Sequence, residues 1–533
     1  MKKSWIEKRD CEKSFKIKTI DKYFADIPKG SRMLIASPPI IDEYVKSILY
    51  GEFVEPVKMR DDLAKDYQAD KTCPVTTGIF LRIVSEASYE EYDNGIDLNP
   101  EIAQLGFAEQ LNKVGYKTSF IGKAHFATSS TFEPTGTPEC KHSSTKFGSE
   151  WYGPYMGFKH VELMTLGHWY KEKGPTLPPE GQHFERFVFE EAGGPEIFDI
   201  WHKPAKPGYG AAQTWHSSLP VALHSSTWCG DRAISFLNNQ NKNEPFCSWV
   251  SFPDPHHPFD CPTPWSTMYN LDDVDLPAEG QKDLDNRPWW HKASLESEPN
   301  LADPQLKFFR AKLSRSVDQT EKQLREMTAN YFGMISLIDH NVGRIILELK
   351  RLGMDKNTII IYSTDHGDLL GDHGLYLKGP TPYEGLLRVG LIVNGPNIPK
   401  NKVIKDPVST MDIAATICDI AGAELPHVAQ SKSLIPVIRN NESRDVAHSE
   451  WKVNASRCGV ELELRTVRTK NAKLTIEKNT GAGEMYDLDV DPNEMTNLFD
   501  DDNSSNLKKE LMDMIEERPG KELSKFDEPV GMA

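Results

Sequence analysis

The sequence predicts an α/β fold in which a mixed, mostly parallel sheet is flanked by helices. Apolar runs of strand length occur at Lys117–Ile121, Phe246–Phe252 and Thr358–Ser363. Apolar residues at helical spacing over Gln319–Leu352 predict a long helix between the second and third runs. Because strands and helices alternate along this part of the chain, we expect helices on both faces of the sheet.

Further elements extend this pattern in both directions. Ile102–Val114 predicts a helix that ends at Gly115. Arg388–Val393 predicts a strand parallel to the third run, and Met411–Ala421 predicts the helix that follows it. The intervening residues 128–215 are rich in glycine, proline and aromatic residues. Loops of that length usually carry function, so we expect this stretch to face the substrate.

The two ends of the chain differ from its centre. Helical patterns at Ile40–Leu49 and Met59–Tyr67 predict a mainly helical segment over residues 1–92. Residues 93–435 would hold the central domain, and residues 436–533 a small α+β domain. The elements predicted in that last domain are antiparallel strands at Leu462–Arg468 and Ala472–Ile476 and a final helix at Asn506–Ile515.

The composition argues against several classes of function. The chain has 533 residues and a formal net charge of −17, so it lacks the basic surface typical of nucleic-acid-binding proteins. No apolar run reaches the roughly 20 residues that cross a membrane. The N-terminus lacks the apolar core of a secretory signal, and eight scattered cysteines favour reduced thiols, so a cytoplasmic location is expected. The oligomeric state stays open.

Residues with metal-binding chemistry directly follow the third apolar run. Asp365 and His366 come at its end, where ligands bind in open α/β sheets. A carboxylate oxygen and an imidazole nitrogen could share one divalent cation there, and the imidazole extends the choice toward manganese or zinc. The alternative is a capping aspartate beside a surface histidine.

Basic residues occupy the corresponding positions after the other runs. Lys123 and His125 follow the first run and could hold an anionic ester oxygen, although two solvated loop residues are the alternative. His256 and His257 stand among three prolines, which suits a catalytic site, a metal site or a rigid connection. Lys378 lies on a glycine-punctuated loop, where a lone lysine is usually solvated.

Taken together, these sites resemble those of the sulfatase family within the alkaline-phosphatase-like superfamily. The matching stretches are NGIDLNPEIAQLGFAEQLNKVGYKTSFIGKAHF at 94–126, GFKHVEL at 157–163, PHHPF at 255–259, STDHGDLLGDHGLYLKG at 363–379 and MYDLDVDPNEMTNL at 485–498. The resemblance covers residues from about 95 to 533. It implies the fold of that superfamily. It also implies a hydrolase whose substrate is a small anionic ester of sulfate, phosphate or phosphonate.

The resemblance also implies roles for individual residues. Asp365 and His366 match two metal ligands of the family, which uses one divalent metal such as calcium, magnesium or manganese. A histidine at 366 is similar to the arylsulfatase and phosphonate monoester hydrolase branch. The remaining matches are to catalytic residues that hold the sulfuryl group or assist the leaving group: Lys123, His125, His256 and Lys378.

One half of the family's site has no match in residues 1–94. Members of the family normally begin with an apolar strand ending in two aspartates, followed by a Cys/Ser-x-Pro-x-Arg signature whose first residue becomes the formylglycine nucleophile. Cys73 is followed at once by Pro74 and has no arginine at the required place. Asp61 and Asp62 lie in a helical stretch, which predicts solvated helix charges.

The absence of that strand has a structural consequence. The strand is central in the sheets of the superfamily, so its loss predicts unpaired backbone edges and exposed apolar side chains. We expect either that Met33–Ala36 fills part of the gap or that the sheet is narrowed there.

Residues 28–85 resemble a different family. PKGSRMLIASPPIIDEYVKSILYGEF and MRDDLAKDYQADKTCPVTTGIF are similar to small proteins related to methylguanine-DNA methyltransferase, although the Pro-Cys-His-Arg signature of the alkyl acceptor is absent. Three hypotheses follow: a metal-dependent ester hydrolase impaired by the missing nucleophile segment, a catalytically inactive gene fusion on a sulfatase scaffold, or a DNA-binding module with an appended enzyme-like body.

Overall fold

The computed structural model describes residues 8–11, 14–47, 54–93, 104–127, 135–140, 143–165, 182–191, 193–194, 196–277, 284–298, 307, 318–426, 429–453 and 455–519. The chain divides into two compact units. Unit 1 comprises residues 1–97 with 134–137, and unit 2 comprises residues 98–133 with 138–533. No helix among the described residues is both long and apolar enough to span a membrane.

Unit 1 combines helices with a small sheet. Its elements are β1 (Lys16–Thr19), β2 (Arg32–Ile35), α1 (Pro38–Lys46), α2 (Pro56–Asp66), β3 (Lys71–Thr72) and α3 (Pro74–Asp93). Each helix begins with a proline, whose missing N–H costs nothing in a first turn. The core is apolar and includes Leu34, Ile41, Met59 and Leu63. The mainly helical prediction therefore missed a three-stranded sheet, because its strands are only two to four residues long.

The strand predicted at Met33–Ala36 belongs to this small sheet. Its register pairs Met33 with Lys18 of β1 in antiparallel fashion and with Lys71 of β3 in parallel fashion. Both edges of β2 are therefore used within unit 1. Of the two alternatives, the filling of the gap by Met33–Ala36 is wrong for that reason, and the narrowed sheet stays a prediction.

Unit 2 begins with alternating helices and parallel strands. Its elements up to residue 438 are α4 (Phe107–Lys113), β4 (Lys117–Lys123), β5 (His160–Met164), α5 (His183–Glu190), α6 (Glu196–His202), α7 (Ser225–Asn238), β6 (Phe246–Ser251), α8 (Trp289–Glu296), α9 (Glu321–Leu352), β7 (Ile360–Ser363), α10 (Glu384–Leu387), β8 (Leu391–Asn394), α11 (Asp412–Ala421) and α12 (Ile435–Ile438). The stretch 128–215 thus contains one strand and two helices among its described residues.

A three-stranded parallel sheet of order β5-β4-β6 forms the centre of this part. Every residue of β4 from Thr118 to Gly122 is buried, because helices cover the sheet on both faces. Gly122 has φ +115°, and a Cβ there would lie 1.9 Å from the carbonyl oxygen of Ser251 in β6. Glycine at this position therefore lets β4 and β6 approach closely just before the strand ends.

The other two strands of this part form a separate pair. β7 and β8 are antiparallel, with Ile360 opposite Asn394 and Ser363 opposite Leu391. The prediction that these strands are parallel is wrong, because the connection between them holds only short helical turns in place of a full crossover helix. Instead of one continuous sheet, the described strands form a set of three and a set of two.

Helix α9 supports both sets of strands. Thr320 and Gln323 form a capping box at its start, and Gly353 ends it in the left-handed conformation with φ +69°. Its buried Leu349 packs in one apolar cluster with Ile121 of β4, Val250 of β6 and Ile360 of β7.

The C-terminal part of unit 2 is a four-stranded antiparallel meander. Its elements are β9 (Val446–Val453), α13 (Ala455–Cys458), β10 (Leu462–Thr469), β11 (Ala472–Glu477), β12 (Gly483–Asp487) and α14 (Ser505–Glu516). The strand order is β12-β11-β10-β9, and all six residues of β11 are buried. Leu511 and Ile515 of α14 pack on the sheet with Leu474 and Met485.

Candidate active site

The carboxyl ends of β4, β6 and β7 meet at one rim of unit 2. Lys123 is the last residue of β4, Asp254 follows β6, and Asp365 follows β7. Burial lowers the pKa of Lys123, while the carboxylates of Asp365 and Asp254 act in the opposite direction. Because these charges influence each other, residues more than 100 positions apart in sequence share one electrostatic environment.

Asp365 and His366 form the centre of this rim. The backbone N–H of His366 donates to Asp365 Oδ1 at 2.9 Å, and His366 Nε2 lies 3.5 Å from Asp365 Oδ2. Burial opposes ionisation of Asp365, but His366 and Lys378 outweigh it and lower the pKa of this carboxyl. Asp365 is therefore an anion held beside two basic side chains.

Lys378 reaches the same point from the following loop. Its Nζ lies 2.8 Å from His366 Nε2, and His366 Nδ1 lies 2.7 Å from the carbonyl oxygen of Gly367. Since a carbonyl only accepts, Nδ1 carries the proton and Nε2 accepts from the ammonium of Lys378. Burial and the charge of Lys378 both lower the pKa of His366, which fits a neutral imidazole.

The loop that carries Lys378 is held by a close backbone contact. Gly367 donates its N–H to the carbonyl oxygen of Leu386 at 2.9 Å. A Cβ on Gly367 would lie 1.9 Å from the carbonyl oxygen of Gly385, so no larger residue fits there. The two ends of the loop are thereby fixed beside His366.

His256 lies on the segment that follows β6. Its Nδ1 is 2.5 Å from the carbonyl oxygen of His257, and the two imidazole rings stack with centroids 4.1 Å apart. Because Nδ1 faces a carbonyl, Nε2 is the atom of His256 that can exchange a proton with a ligand. His125 is exposed two residues beyond Lys123.

Two carboxylates of the rim were not predicted from the sequence. Asp254 is buried, accepts a hydrogen bond from Ser226 Oγ, and has its Oδ2 3.5 Å from His224 Nδ1. Burial raises the pKa of Asp368 to about 6, and its Oδ1 accepts from the backbone N–H of Leu370 at 3.1 Å. The second aspartate of the sequence TDHGD was a usable signal for Asp368.

The described residues do not form a complete divalent-metal site. Asp365 and His366 would contribute one carboxylate and one imidazole, but no group of three or more potential ligands occurs within the described part of the chain. The Nε2 lone pair of His366 is also engaged by Lys378. The residues present therefore supply only part of the ligand set that calcium, magnesium or manganese requires.

Three residues of unit 1 that were compared with the family's missing segment have ordinary structural roles. Asp61 and Asp62 are on α2 and form ion pairs of 2.8 Å with Lys71 and Lys58, as expected for solvated helix charges. Cys73 is buried directly before α3, and its backbone N–H donates to Leu34 at 2.8 Å.

Comparison with known sequences decides the family. The profile described as Sulfatase matches residues 69–423, which is more than half of the chain. The chain belongs to the sulfatase family. A second profile, described as N-sulphoglucosamine sulphohydrolase, C-terminal, matches residues 371–521 and covers the meander of unit 2. The family match begins at residue 69 rather than at about 95, so it includes Cys73 within unit 1.

A curated relative agrees with this assignment, and two solved structures share the fold. An arylsulfatase from Clostridium perfringens is 28% identical over 475 residues, which cover 87% of this chain and 86% of the relative. The phosphonate monoester hydrolase of Agrobacterium radiobacter superposes with a TM-score of 0.56 at 23% identity, over 77% of this chain and 79% of that one. The enzyme from Silicibacter pomeroyi gives 0.58 at 18%, over 78% and 80%.

These comparisons confirm the alkaline-phosphatase-like α/β fold and a sulfatase-family hydrolase of sulfate esters. Sulfatases generally use a metal and a formylglycine nucleophile. The resemblance of residues 28–85 to methylguanine-DNA methyltransferase-like proteins finds no support in these comparisons and stays a prediction.

Proposed function

We propose that Lys123 and Lys378 hold the peripheral oxygens of a sulfate, phosphate or phosphonate ester at the rim of unit 2. The observation that supports this proposal is the convergence of Lys378 Nζ on His366 Nε2 at 2.8 Å, in the same electrostatic environment as Lys123 and Asp365. Charge in the transition state of such a transfer lies on the peripheral oxygens. Two fixed ammonium groups stabilise that charge without reorganising water.

The imidazole of His256 would act at the leaving-group end of the ester bond, and that of His125 at a peripheral oxygen. His256, whose Nδ1 is turned toward the carbonyl oxygen of His257, would protonate the departing oxygen through Nε2 once the ring is charged. His125 is exposed beside Lys123 and can donate to a non-bridging oxygen. Asp365, whose pKa is lowered by His366 and Lys378 in spite of burial, would be one of the metal ligands.

Full catalytic power also needs a nucleophile and further metal ligands. Among the described residues of unit 1, Cys73 packs with Ile27 and Met33 in an apolar cluster, where its thiol is shielded from substrate. We therefore expect weak hydrolysis from this chain alone. The second candidate function, an inactive fusion that keeps only anion binding, is favoured by the same observation and by the incomplete ligand set of Asp365 and His366.

Turnover and binding separate the two candidates. Aryl sulfate, phosphate and phosphonate esters are assayed with added calcium, magnesium or manganese, and binding of the aryl sulfate is measured by calorimetry. Lys123→Ala and Lys378→Ala should each lower kcat/KM about 100-fold, as loss of one oxyanion donor does. Lys356→Ala, an exposed lysine outside the rim, serves as the matched control.

The results distinguish three cases. Turnover that both rim variants abolish and Lys356→Ala preserves supports hydrolysis at this site. Binding that Lys123→Ala weakens, without turnover under any metal, supports the inactive scaffold. Turnover that Lys123→Ala and Lys378→Ala leave unchanged would contradict the proposed site.

A further inference from the structure

A cavity of about 370 Å³ opens at the end of the parallel sheet that lies opposite the rim. Lys117, the first residue of β4, and His160, the first residue of β5, line this amino-end cavity. Lys123 is the last residue of β4, and a strand rises about 3.3 Å per residue, so the cavity and the rim are about 20 Å apart. The volume is within the range of about 300–1,000 Å³ that is typical of ligand sites. The amino-end cavity is therefore a ligand-sized space separate from the candidate active site.

Basic side chains outnumber carboxylates in the amino-end cavity. The described residues that line it include Lys117, Lys159 and Arg232, and Glu162 is the one carboxylate among them. The backbone N–H of Lys159 donates to Thr118 Oγ1 at 3.1 Å, which brings Lys159 beside the start of β4. The chain as a whole has a net charge of −17, so the charge of this cavity is opposite to that of the average surface.

The buried carboxylate fixes the orientation of the guanidinium. Glu162 is 3% exposed, and it accepts from Arg232 Nε through Oε2 and from Arg232 Nη2 through Oε1 at 3.1 Å. Burial opposes ionisation of Glu162, but His160 and Arg232 outweigh it and lower its pKa. Arg232 Nη1 has no hydrogen-bond partner among the described residues. A guanidinium that is already oriented loses little entropy when its remaining donors bind an oxyanion.

Two lysines add positive charge at the mouth of the cavity. Lys159 is exposed and forms no ion pair within the described part of the chain. Lys117 is also exposed and pairs with Glu244, whose side chain is 45% exposed. Surface pairs of this kind contribute little to stability, so an anion in the cavity can compete for Lys117. Both ammonium groups are therefore available to a ligand.

The inner wall of the cavity is aromatic. Phe236 is 8% exposed and lies four residues after Arg232 on α7, so the two side chains share one face of the helix. The ring of His160 is 5.8 Å from that of Phe236, and its other neighbour is the ring of Tyr152, also at 5.8 Å and nearly parallel. The cavity thus has a basic side and an apolar side, the combination that holds a ligand with one charged group and a carbon body.

We propose that the amino-end cavity binds a small organic molecule with one oxyanion group. The three basic side chains hold the oxyanion, and the body of the molecule packs against Phe236. A free phosphate or sulfate ion would use the basic side alone and leave the apolar side empty. Binding here does not depend on hydrolysis at the rim, so failure of the proposed function leaves this proposal intact.

Phenylphosphonate is the probe, because it carries an oxyanion on a ring and has no ester bond to hydrolyse. Calorimetry with the full chain measures its binding. For a ligand of about ten heavy atoms we expect a Kd of about 1 mM or below. Inorganic phosphate and benzyl alcohol each keep one half of the probe and should bind at least about tenfold more weakly.

Charge reversal at the mouth tests the basic side. Lys159→Glu should fold like the parent, since Lys159 is exposed, and should lose at least about tenfold in affinity for phenylphosphonate. Lys159→Arg keeps the charge and should bind like the parent. Lys356→Glu makes the same charge change at an exposed lysine that is not among the described lining residues, and it should bind like the parent.

A paired substitution tests the guanidinium. Arg232→Gln alone would leave the buried Glu162 without its main partner, so Arg232→Gln is combined with Glu162→Gln. This double variant should also lose at least about tenfold in affinity for phenylphosphonate.

A rim variant separates the two possible binding places. Lys123→Ala weakens any binding at the rim and should leave the affinity of the amino-end cavity unchanged. The absence of binding to the parent chain, or equal affinities in Lys159→Glu and Lys356→Glu, would overturn the proposal. Binding that Lys123→Ala abolishes and Lys159→Glu preserves would place the phosphonate at the rim and overturn it as well. Equal affinities for inorganic phosphate and phenylphosphonate would refute the organic ligand.

Discussion

Two of the sheets of unit 2, the meander and the set β5-β4-β6, contrast in how deeply their strands are buried. β11 is bonded by β10 and β12 and buries all six of its residues, including Lys473 and Glu477. β6 has the more apolar sequence, Phe-Cys-Ser-Trp-Val-Ser, yet none of its residues is buried. Hydrophobicity of the strand therefore does not decide its burial, and neither does pairing alone, because the edge strands β5 and β12 each bury four of their five residues.

The order of the strands in the sequence explains part of the contrast. β9 to β12 follow one another through short connections, so each antiparallel pair forms locally. β4, β5 and β6 are parallel and need long crossovers, and β4 and β6 are contributed from residues 117–123 and 246–251. The meander can complete itself, whereas the parallel sheet depends on segments from distant parts of a chain.

The largest effect is expected at the closest contact inside the parallel sheet. Gly122→Ala would place a Cβ 1.9 Å from the carbonyl oxygen of Ser251 at φ +115°, so β4 and β6 must separate. We expect a loss of about 4 kcal/mol or more in the free energy of unfolding, measured by urea denaturation. Gly343→Ala in α9, where nothing lies within 4 Å, should instead stabilise by about 0.5 kcal/mol. Similar values for the two variants would refute the close pairing.

A buried lysine allows the stability of the meander to be tested by substitution. Lys473 is buried, donates to the carbonyl oxygen of Pro382 at 2.6 Å and pairs with Glu494, whose pKa is raised because burial outweighs the lysine. Lys473→Met should cost about 3 kcal/mol at pH 8, because a buried carboxylate loses its partner. The cost should shrink toward pH 5 as Glu494 takes up a proton. Lys292→Met, which breaks an exposed pair with Asp285, should change stability by less than about 0.5 kcal/mol at either pH.

Two apolar truncations compare the meander with the β7-β8 pair. Leu474 of β11 is 0% exposed and Ile392 of β8 is 61% exposed. Leu474→Ala should destabilise by about 3 kcal/mol through lost burial and a cavity, and Ile392→Ala by less than about 1 kcal/mol. A cost at Ile392 equal to that at Leu474 would show that β8 is covered in solution.

The smallest effect concerns the pH dependence of β5. His183 accepts from the N–H of Leu163 at 2.9 Å through Nδ1, and its Nε2 donates to the carbonyl of Trp151 at 2.8 Å. Burial lowers its pKa from 6.5 to about 4, so the folded chain resists a proton that the unfolded chain accepts. Stability should fall by about 2 kcal/mol as the pH drops from 6.5 to 4.

His183→Gln provides the control for this titration. The variant lacks the titrating imidazole, so its loss of stability over the same pH interval should be smaller by about 2 kcal/mol. Equal slopes of unfolding free energy against pH for parent and variant would exclude His183 as the source.

The sequence predicted correctly the elements that are long or have a strongly apolar pattern. The predicted β4, β6 and α9 agree with the structure within two residues at each end, because their apolar spacing is set by local geometry. In unit 1, Met33–Ala36 predicted β2, whereas β1 and β3 were missed because β1 is mostly exposed and β3 has two residues. The reversed direction of β8 depends on the turn before it, which no periodicity encodes.

At the rim, the sequence predicted residues but not the contacts between their side chains. Asp365, His366 and Lys378 were identified from their sequence context, but the contact between Nζ and Nε2 depends on how the intervening loop closes. Asp254 was missed because its burial depends on Ser226 of α7, which is 28 residues away in sequence. Whether the six predicted site residues act in catalysis stays a prediction for the rim variants to test.

Helix α9 packs against both the set β5-β4-β6 and the pair β7-β8. At 32 residues it is about 48 Å long, and its last turns touch β4, β6 and β7 through Leu349 and its neighbours. The set β5-β4-β6 and the pair β7-β8 are therefore connected through apolar contacts with α9, and no hydrogen-bonded ladder between their described strands joins them. Loss of these contacts would therefore loosen β4, β6 and β7 together.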